Sequence, residues 1–308
     1  MPYYLGIDGG GTKTTCALGD ESRVLATVTT GPSNVVRVGE ERARESLHDA
    51  VGRSCAVAGI TPREIVCTCI GGSGAARSEI AAFVRSALAE VLPNQIVVVG
   101  DMEIALDAAF DTGPGVIVIA GTGSIAYGRG PHGATARAGG WGFAIGDEGS
   151  AHWIGREAVR AVLRNSDETG PDTHVELSAP LCKTLNVSSL NDLARIANAV
   201  PPPDLASLFP IVAASKDEMA LQIQSLAGNE LARIAALVIR RLFPKNETDP
   251  VPVAMIGGVF RHAPAVRNNF YNELRRFDPR VEINPEVVEP VQGALRMARK
   301  AAKKSDAP

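Results

Sequence analysis

An acid, three glycines and a run of hydroxyl side chains follow one another near the N-terminus. The segment consists of Asp8, Gly9, Gly10, Gly11, Thr12, Lys13, Thr14 and Thr15. Glycine permits backbone conformations with positive φ and lets a ligand approach the main chain, and a turn of exposed N–H groups forms a concavity that binds anions. The three threonine hydroxyls and the charge of Lys13 would add to that attraction. The segment predicts either a phosphate-binding loop or a glycine-rich turn without a ligand.

The residues on both sides of this segment are apolar, as in strands: Leu5 to Ile7 before it and Cys16 to Leu18 after it. Since the chain continues as a second strand, the glycines do not lead into a helix N-terminus, as they do in a Rossmann loop or a P-loop. We therefore expect the segment to form the tip of a hairpin.

The same arrangement recurs in the sequence VIVIAGTGSIAYG, residues 116–128. An apolar strand, a Gly-Thr-Gly-Ser loop and a second apolar strand follow one another. Repetition of such a unit predicts two similar domains that face each other across a cleft. A third glycine signal, Gly257 and Gly258, comes between a buried strand at 251–256 and a helical stretch. Two glycines at that place would let a flat ligand such as adenine lie against the backbone.

Asp101 is placed where an acid could act on a substrate. It follows a short apolar strand at 96–99, and open α/β sheets bind their ligands at the carboxyl ends of their strands. A general base for a hydroxyl group is one interpretation. The other is an N-cap for the helix at 103–110, because aspartate is a favoured N-cap residue. We expect the helix dipole to keep this carboxylate ionised, with a low pKa.

Trp141 lies among glycines in the sequence GGWGFAIGDEGS, residues 139–150, which leads into a helix. A tryptophan between glycines predicts a flat surface or a close backbone approach for a polar ligand. Asp147 could accept hydrogen bonds from a sugar hydroxyl or cap the helix that follows.

Composition excludes several function classes. The chain has 308 residues, 45% of them hydrophobic, which suffices for two domains. A net charge of −3 with scattered Lys and Arg predicts no nucleic-acid partner. No apolar run approaches the roughly 18 residues of a membrane span. With no signal peptide visible, the five cysteines predict reduced thiols and a cytoplasmic protein.

Strands and helices alternate in both halves of the chain, which predicts an α/β protein with mixed sheets. Helical spacing is clear at 42–57, 151–164 and 218–242, and a single helix is expected at 205–215.

Taken together, these segments resemble the BadF/BadG/BcrA/BcrD ATPase family, in its N-acetylglucosamine kinase branch, within the actin/Hsp70/sugar-kinase superfamily. They run in family order along nearly the whole chain. The matching segments are GIDGGGTKT, GPSN, GDMEIALDAA, IAGTGS, GGWGFAIGDEGSAHWIG, IGGVF and PVQGALRMA.

The resemblance implies a two-lobed actin-like ATPase fold (ribonuclease H-like), with duplicated mixed-sheet domains and an ATP and sugar cleft between them. Residues 1–112 would form the N-terminal small lobe and 113–289 the C-terminal large lobe. Residues 290–308 would form a closing helix that returns to the N-terminal lobe, plus a tail. The expected cofactors are ATP and Mg²⁺, the expected partner is a small-molecule sugar, with no membrane partner, and the expected assembly is a homodimer.

The resemblance also implies a role for individual residues. Asp8 would hold Mg²⁺, and Asp101 would take the proton of the sugar 6-hydroxyl as it attacks the γ-phosphate. The nucleotide contacts would be Gly10, Gly11, Thr12, Lys13, Thr122, Gly123, Ala214, Gly257 and Gly258. The sugar contacts would be Asn34, Asp101, Gly139, Gly140, Trp141 and Asp147.

Two departures from the family pattern reduce the number of functions that the resemblance allows. The cysteines that hold an iron–sulfur cluster in the namesake activators are missing from the segment IAGTGS. The chain also lacks the zinc motif of the other bacterial glucokinase-like family, with its closely spaced cysteines. The expected activity is 6-phosphorylation of an amino sugar. The amino acids expected to contact the sugar include no cluster of Arg and Lys, which favours neutral N-acetylglucosamine over acidic sugars as the substrate. Glucosamine, N-acetylmuramic acid or another hexosamine stays open, as does a non-catalytic nucleotide switch.

Overall fold

The structure is a computed structural model that describes residues 2–72, 74–75, 77–170, 176–244 and 249–305. The chain divides into two compact units: residues 1–113 with 288–308, and residues 114–287. Among the described residues, no helix is both long and apolar enough to span a membrane.

Among its described residues, the first unit has five strands, five helices and a short 3₁₀ turn at Pro62–Glu64. Its elements are β1 (Tyr3–Gly9), β2 (Thr14–Gly19), β3 (Val24–Thr30), α1 (Val35–Val38), α2 (Glu40–Ala58), β4 (Ile65–Gly72), α3 (Ser78–Ala89), β5 (Gln95–Gly100), α4 (Asp101–Phe110) and, from the end of the chain, α12 (Pro290–Ser305).

Its sheet has the order β3-β2-β1-β4-β5. β1 is antiparallel to β2 and parallel to β4, which is in turn parallel to β5. The carboxyl ends of β1, β4 and β5 therefore meet at one edge. In the register, Asp8 lies opposite Gly71, and Gly71 lies opposite Val99.

Alternate residues of β1 pack on opposite faces of this sheet, as the period of a strand requires. Leu5 and Ile7 share a core cluster with Leu47 of α2, whereas Tyr4 packs with Leu295 of α12. Gly6 has no room for a side chain, because a Cβ there would overlap the backbone of Leu295. This close approach fixes α12 directly against β1.

The second unit has five strands, seven helices and a 3₁₀ turn at Leu205–Leu208 among its described residues. Its elements are β6 (Gly115–Ala120), β7 (Ser124–Arg129), β8 (Thr135–Gly139), α5 (Ala151–Thr169), α6 (Ser178–Thr184), α7 (Leu190–Ala197), α8 (Phe209–Ala214), α9 (Glu218–Leu242), β9 (Val251–Ile256), α10 (Gly258–His262), α11 (Pro264–Phe277) and β10 (Val281–Val288).

The second sheet has the order β10-β9-β6-β7-β8, with β6 antiparallel to β7 and parallel to β9. In the first sheet, β1 is likewise antiparallel to β2 and parallel to β4. The predicted α/β class with mixed sheets and the predicted duplication are thus confirmed. The core of this unit is one large apolar cluster to which the long helix α9 contributes, for example Leu231 and Val238.

One predicted helix is divided in two. Residues 205–215 form the 3₁₀ turn at Leu205–Leu208 followed by α8, whose second residue is Pro210. Proline has no backbone N–H and is tolerated in the first turn of a helix. It therefore marks a new helix start inside the stretch that the sequence pattern merges.

Candidate functional site

The first glycine-rich loop is the tip of the β1–β2 hairpin, as predicted. The Gly10 N–H donates to the Lys13 carbonyl at 3.1 Å, and the Ser33 N–H donates to the Gly10 carbonyl at 3.2 Å. A Cβ on Gly10 would lie 2.8 Å from the Lys13 carbonyl oxygen, so a side chain there would push the turn open. Thr12 and Lys13 are exposed at the tip. Contact of either residue with a phosphate stays a prediction.

Thr14 does not supply a hydroxyl to the loop surface. It is buried, and its hydroxyl donates to the Ser33 Oγ at 2.8 Å. The predicted donor role of Thr14 is therefore wrong, and its hydroxyl anchors the hairpin instead.

Asn34 lies beside this loop. Its Oδ1 accepts the Arg37 N–H at 3.3 Å, which makes Asn34 the N-cap of α1. A Cβ on Gly11 would lie 4.0 Å from Asn34 Nδ2 and 3.5 Å from Arg37 Nη1. The sequence analysis does not identify Arg37. Its position three residues after the capping Asn34 is the signal that could have placed both residues on the same side of α1.

Asp8 is the last polar residue of β1, one residue before the strand ends. Its pKa is raised from 3.8 to about 7, mainly by burial and also by the charges of Asp101 and Glu289, while the charge of Lys13 acts in the opposite direction. A carboxylate in this position gains from a cation. Asp8 is therefore electrostatically suited to a divalent metal.

Mg²⁺ usually takes one or two protein carboxylates and completes its shell with phosphate oxygens and water. Within the described ranges, no group of three or more His, Cys, Asp or Glu side chains could hold a metal ion. The buried carboxylate of Asp8 fits Mg²⁺ that is bound together with phosphates.

Asp101 is the first residue of α4, and Gly100 is the N-cap. The N-cap interpretation of Asp101 is therefore wrong. Its Oδ1 accepts the adjacent Met102 N–H at 3.0 Å. Burial raises the pKa of Asp101, although this backbone hydrogen bond lowers it. The expected low pKa is also wrong, because removing the carboxylate from water outweighs the helix terminus.

The second glycine-rich loop is the tip of the β6–β7 hairpin. The Gly121 N–H donates to the Gly123 carbonyl at 2.9 Å. The Ala151 N–H donates to the Gly121 carbonyl at 2.8 Å, and the His152 N–H donates to that of Thr122 at 3.4 Å. The loop is thus held against the start of α5. A Cβ on Gly121 would meet nothing within 4 Å, so the backbone is open there.

Asp147 lies next to this loop, with a positive φ of 57°. Its Oδ1 accepts the Gly142 N–H at 3.3 Å, and a Cβ on Gly123 would lie 2.7 Å from its Oδ2. Burial raises its pKa. Asp147 does not cap α5, because Ser150 does so by accepting the Trp153 N–H at 3.1 Å. Of the two interpretations, the helix cap is wrong and the sugar contact stays a prediction.

Trp141 is 66% exposed, with the Arg137 guanidinium 4.7 Å from its ring centroid. Gly139 and Gly140, which precede it, have φ values of 75° and 70°. Side chains are strained at such angles. The Trp141 ring is thus exposed next to two glycines with positive φ, and its contact with a polar ligand stays a prediction.

Gly257 lies between β9 and α10, and Gly258 is the first residue of α10, so the glycine pair joins a strand to a helix as predicted. Gly257 has a φ of 104°, and a Cβ there would overlap the Ala120 carbonyl at the end of β6. The backbone of Gly257 therefore lies against the start of the second glycine-rich loop. Ala214 is exposed as the last residue of α8, and its predicted nucleotide contact rests on the family resemblance alone.

The structure thus assembles the predicted residues into two groups. Asp8, Asp101, Asn34 and the first loop belong to the first unit. The second loop, Asp147, Trp141 and Gly257 belong to the second unit.

The chain is similar to a known protein family and to individual kinases. A model described as the BadF/BadG/BcrA/BcrD ATPase family matches residues 5–298. An N-acetylmuramic acid/N-acetylglucosamine kinase of Clostridium acetobutylicum is 33% identical, with 97% of this chain and 99% of that protein aligned. An N-acetyl-D-glucosamine kinase of Dictyostelium discoideum is 30% identical, with 97% and 98% aligned.

Among solved structures, a candidate N-acetylglucosamine kinase from Chromobacterium violaceum superimposes with a TM-score of 0.75 at 26% identity. The match covers 97% of this chain and 99% of that one. The fold is that of the two-lobed sugar-kinase ATPases.

Proposed function

The chain belongs to the BadF/BadG/BcrA/BcrD ATPase family, and from that premise we propose that it is an ATP-dependent amino-sugar kinase. Its reaction is phosphorylation of the 6-hydroxyl of N-acetylglucosamine or a related hexosamine. The observation that carries the proposal is the placement of Asp8 and Asp101 at one sheet edge, next to a glycine-rich anion loop.

Asp101 acts as the general base in this proposal. It takes the proton of the sugar hydroxyl, and its raised pKa suits it to hold that proton better than an ordinary aspartate. Asn34 and Asp147 bind sugar hydroxyls or the acetamido group. The exposed backbone at Gly139, Gly140 and Trp141 completes the sugar contacts.

The family implies use of ATP. ATP would bind together with Mg²⁺ and would supply the transferred phosphoryl group. Asp8 would hold the metal. Gly10, Gly11, Thr12 and Lys13 in one loop and Thr122 and Gly123 in the other would donate to phosphate oxygens, while Ala214, Gly257 and Gly258 would border the adenosine. Positioning and charge neutralisation carry most of the catalysis in phosphoryl transfer, so such a set of donors suffices.

The test is a panel of amino sugars incubated with ATP and Mg²⁺, scored for ADP release and for a 6-phosphorylated product. N-acetylglucosamine should give both. The rival function is a nucleotide switch, which needs neither Asp101 nor a sugar. ADP release that is independent of every sugar, and equal in Asp101→Asn, would support that rival and overturn the kinase. A homodimer and a cytoplasmic location are further parts of the proposal.

A further inference from the structure

The side chain of Arg37 lies over the first glycine-rich loop. A Cβ built on Gly11 would be 3.5 Å from both Arg37 Cδ and Arg37 Nη1. Since Gly11 has no side chain, the guanidinium passes close to the backbone that the proposed function assigns to anion binding. Arg37 is exposed to solvent. A ligand bound at this loop can therefore reach it.

The local structure orients Asn34 toward the same place. Its Oδ1 is engaged by the Arg37 N–H in the cap of α1. Its Nδ2, which is a donor, lies 4.0 Å from the Cβ position of Gly11. An amide donor and a guanidinium donor thus flank one point, and the cap that sets the turn of α1 holds them together. A set of donors that includes a full positive charge is suited to an anion.

The geometry points to Arg37 as the residue that reads an anionic substituent of the sugar substrate. This inference rests on the proposed function and extends it. The enzyme would accept a 2-acetamido sugar that carries a carboxylate on a short ether arm, as N-acetylmuramic acid does, in addition to neutral N-acetylglucosamine. The planar guanidinium matches both oxygens of a carboxylate.

A nucleotide phosphate offers the same anionic oxygens, so the sugar has to be distinguished from it. Two observations favour the sugar. Lys13 already provides a cation within the loop itself. Arg37 is also joined to Asn34, whose Oδ1 accepts the Arg37 N–H, and Asn34 belongs to the proposed sugar contacts.

The experiment compares the wild type with Arg37→Gln and Arg37→Lys. Arg42→Gln is the matched control, because Arg42 is an exposed arginine on the next helix, α2. For each protein, kcat/KM is measured with N-acetylglucosamine and with N-acetylmuramic acid, and the KM for ATP is measured with each sugar. Melting temperatures show whether all variants are folded.

We expect Arg37→Gln to lower kcat/KM for N-acetylmuramic acid by about 10- to 100-fold, the usual effect of losing a hydrogen bond to a charged group. The loss with N-acetylglucosamine should be at least tenfold smaller, and the KM for ATP should change less than about twofold. The loss of kcat/KM in Arg37→Lys should lie between those of the wild type and Arg37→Gln. The lysine ammonium group keeps the positive charge but lacks the planar pair of donors of the guanidinium. Arg42→Gln should match the wild type.

Equal losses with both sugars and a raised KM for ATP would assign Arg37 to the phosphates and overturn the inference. So would an Arg37→Gln variant that keeps its activity on N-acetylmuramic acid, or a wild type that phosphorylates only the neutral sugar. In each of these results the kinase activity itself stands. A wild type that phosphorylates no amino sugar would overturn the proposed function, and the inference with it.

Discussion

Asp8, near the end of β1, and Asp101, directly after β5, lie at the same edge of one sheet with β4 between the two strands, and the charge of Asp101 raises the pKa of Asp8. Two strand spacings of about 4.8 Å separate the backbone of Asp8 by roughly 10 Å from that of Val99, two residues before Asp101. Gly71 lies between them, and it has no space for a side chain because Ile104 fills it.

Asp101→Asn tests the general base. We expect kcat to fall by about 100-fold or more, the usual contribution of a positioned base, while the KM for ATP stays within about twofold. Because burial raises the pKa of Asp101, wild-type kcat/KM should decline on the acid side at a higher pH than an ordinary aspartate would produce. The variant should lose the part of this decline that Asp101 causes. The measurement is a pH profile of kcat/KM for both proteins.

Glu103→Gln is the control for this substitution, since Glu103 is on the same turn of α4 but exposed, with its Oε1 accepting the Gly100 N–H at 3.1 Å. It should keep most of the turnover. An Asp101→Asn enzyme with wild-type kcat would remove Asp101 from the mechanism.

Asp8→Asn tests the charge at the end of β1. The folded state raises the pKa of Asp8 from 3.8 to about 7, so folding disfavours its ionised form. The stability that the protonated group contributes is fully present below about pH 4 and is lost as the pH rises through 7. The variant, which stays neutral, should therefore melt at a higher temperature than the wild type at pH 8, and the difference should shrink toward pH 4.

The same substitution should cripple turnover and raise the Mg²⁺ requirement, because the metal neutralises phosphate charge. Thermal scans at pH 8 with and without Mg²⁺ give a readout independent of activity. The ion should stabilise the wild type more than the variant. Identical magnesium titrations of activity would show that Asp8 is only a turn residue.

Asp107 connects the helix that begins with Asp101 to the closing helix. Its carboxylate is 2.7 Å from Arg296 Nε and 2.7 Å from Lys300 Nζ, and it is itself buried. Removing it leaves two cations without this partner. Since both cations are about one-third exposed, the loss is smaller than for a fully buried pair. We expect Asp107→Ala to destabilise the protein by about 2 kcal/mol in denaturant titrations.

Asp49→Ala is the matched control, because Asp49 pairs with Arg53 at 3.5 Å on the exposed face of α2. It should cost less than about 0.5 kcal/mol. Equal effects of the two substitutions would contradict a role for Asp107 in joining α4 to α12.

Sequence patterns predicted both hairpin loops and the strand that ends before Asp101, because glycine runs and apolar alternation are local signals. The pKa of Asp101 was predicted in the wrong direction, since the helix dipole can be read from sequence whereas desolvation depends on tertiary packing. Thr14 was misassigned for the same reason, because its partner Ser33 lies 19 residues away.

Arg37 and the Asp107 network escaped prediction altogether. The position of Arg37 over Gly11 depends on how the chain turns between β3 and α2. Asp107 meets Lys300 across 193 residues of sequence, a pairing that no local pattern encodes. Charges that act across such separations are visible only once α12 is placed against β1 and α4.

Asp147 allows a sugar contact to be separated from a loop contact. Its Oδ1 accepts the Gly142 N–H, and its φ of 57° favours Asp or Asn over most residues. Asp147→Asn keeps both features and removes the charge. If the carboxylate binds the sugar, the KM for the sugar should rise by about 10- to 100-fold with little change in melting temperature. Asp147→Ala should lose activity and also stability, because the loop contact and the tolerance of positive φ are both removed.

Ser150→Ala is the control for helix capping: it should cost about 1 kcal/mol of stability and leave the KM for the sugar unchanged. If Asp147→Asn keeps the wild-type KM, Asp147 only holds the loop, and the remaining sugar contacts have to account for binding.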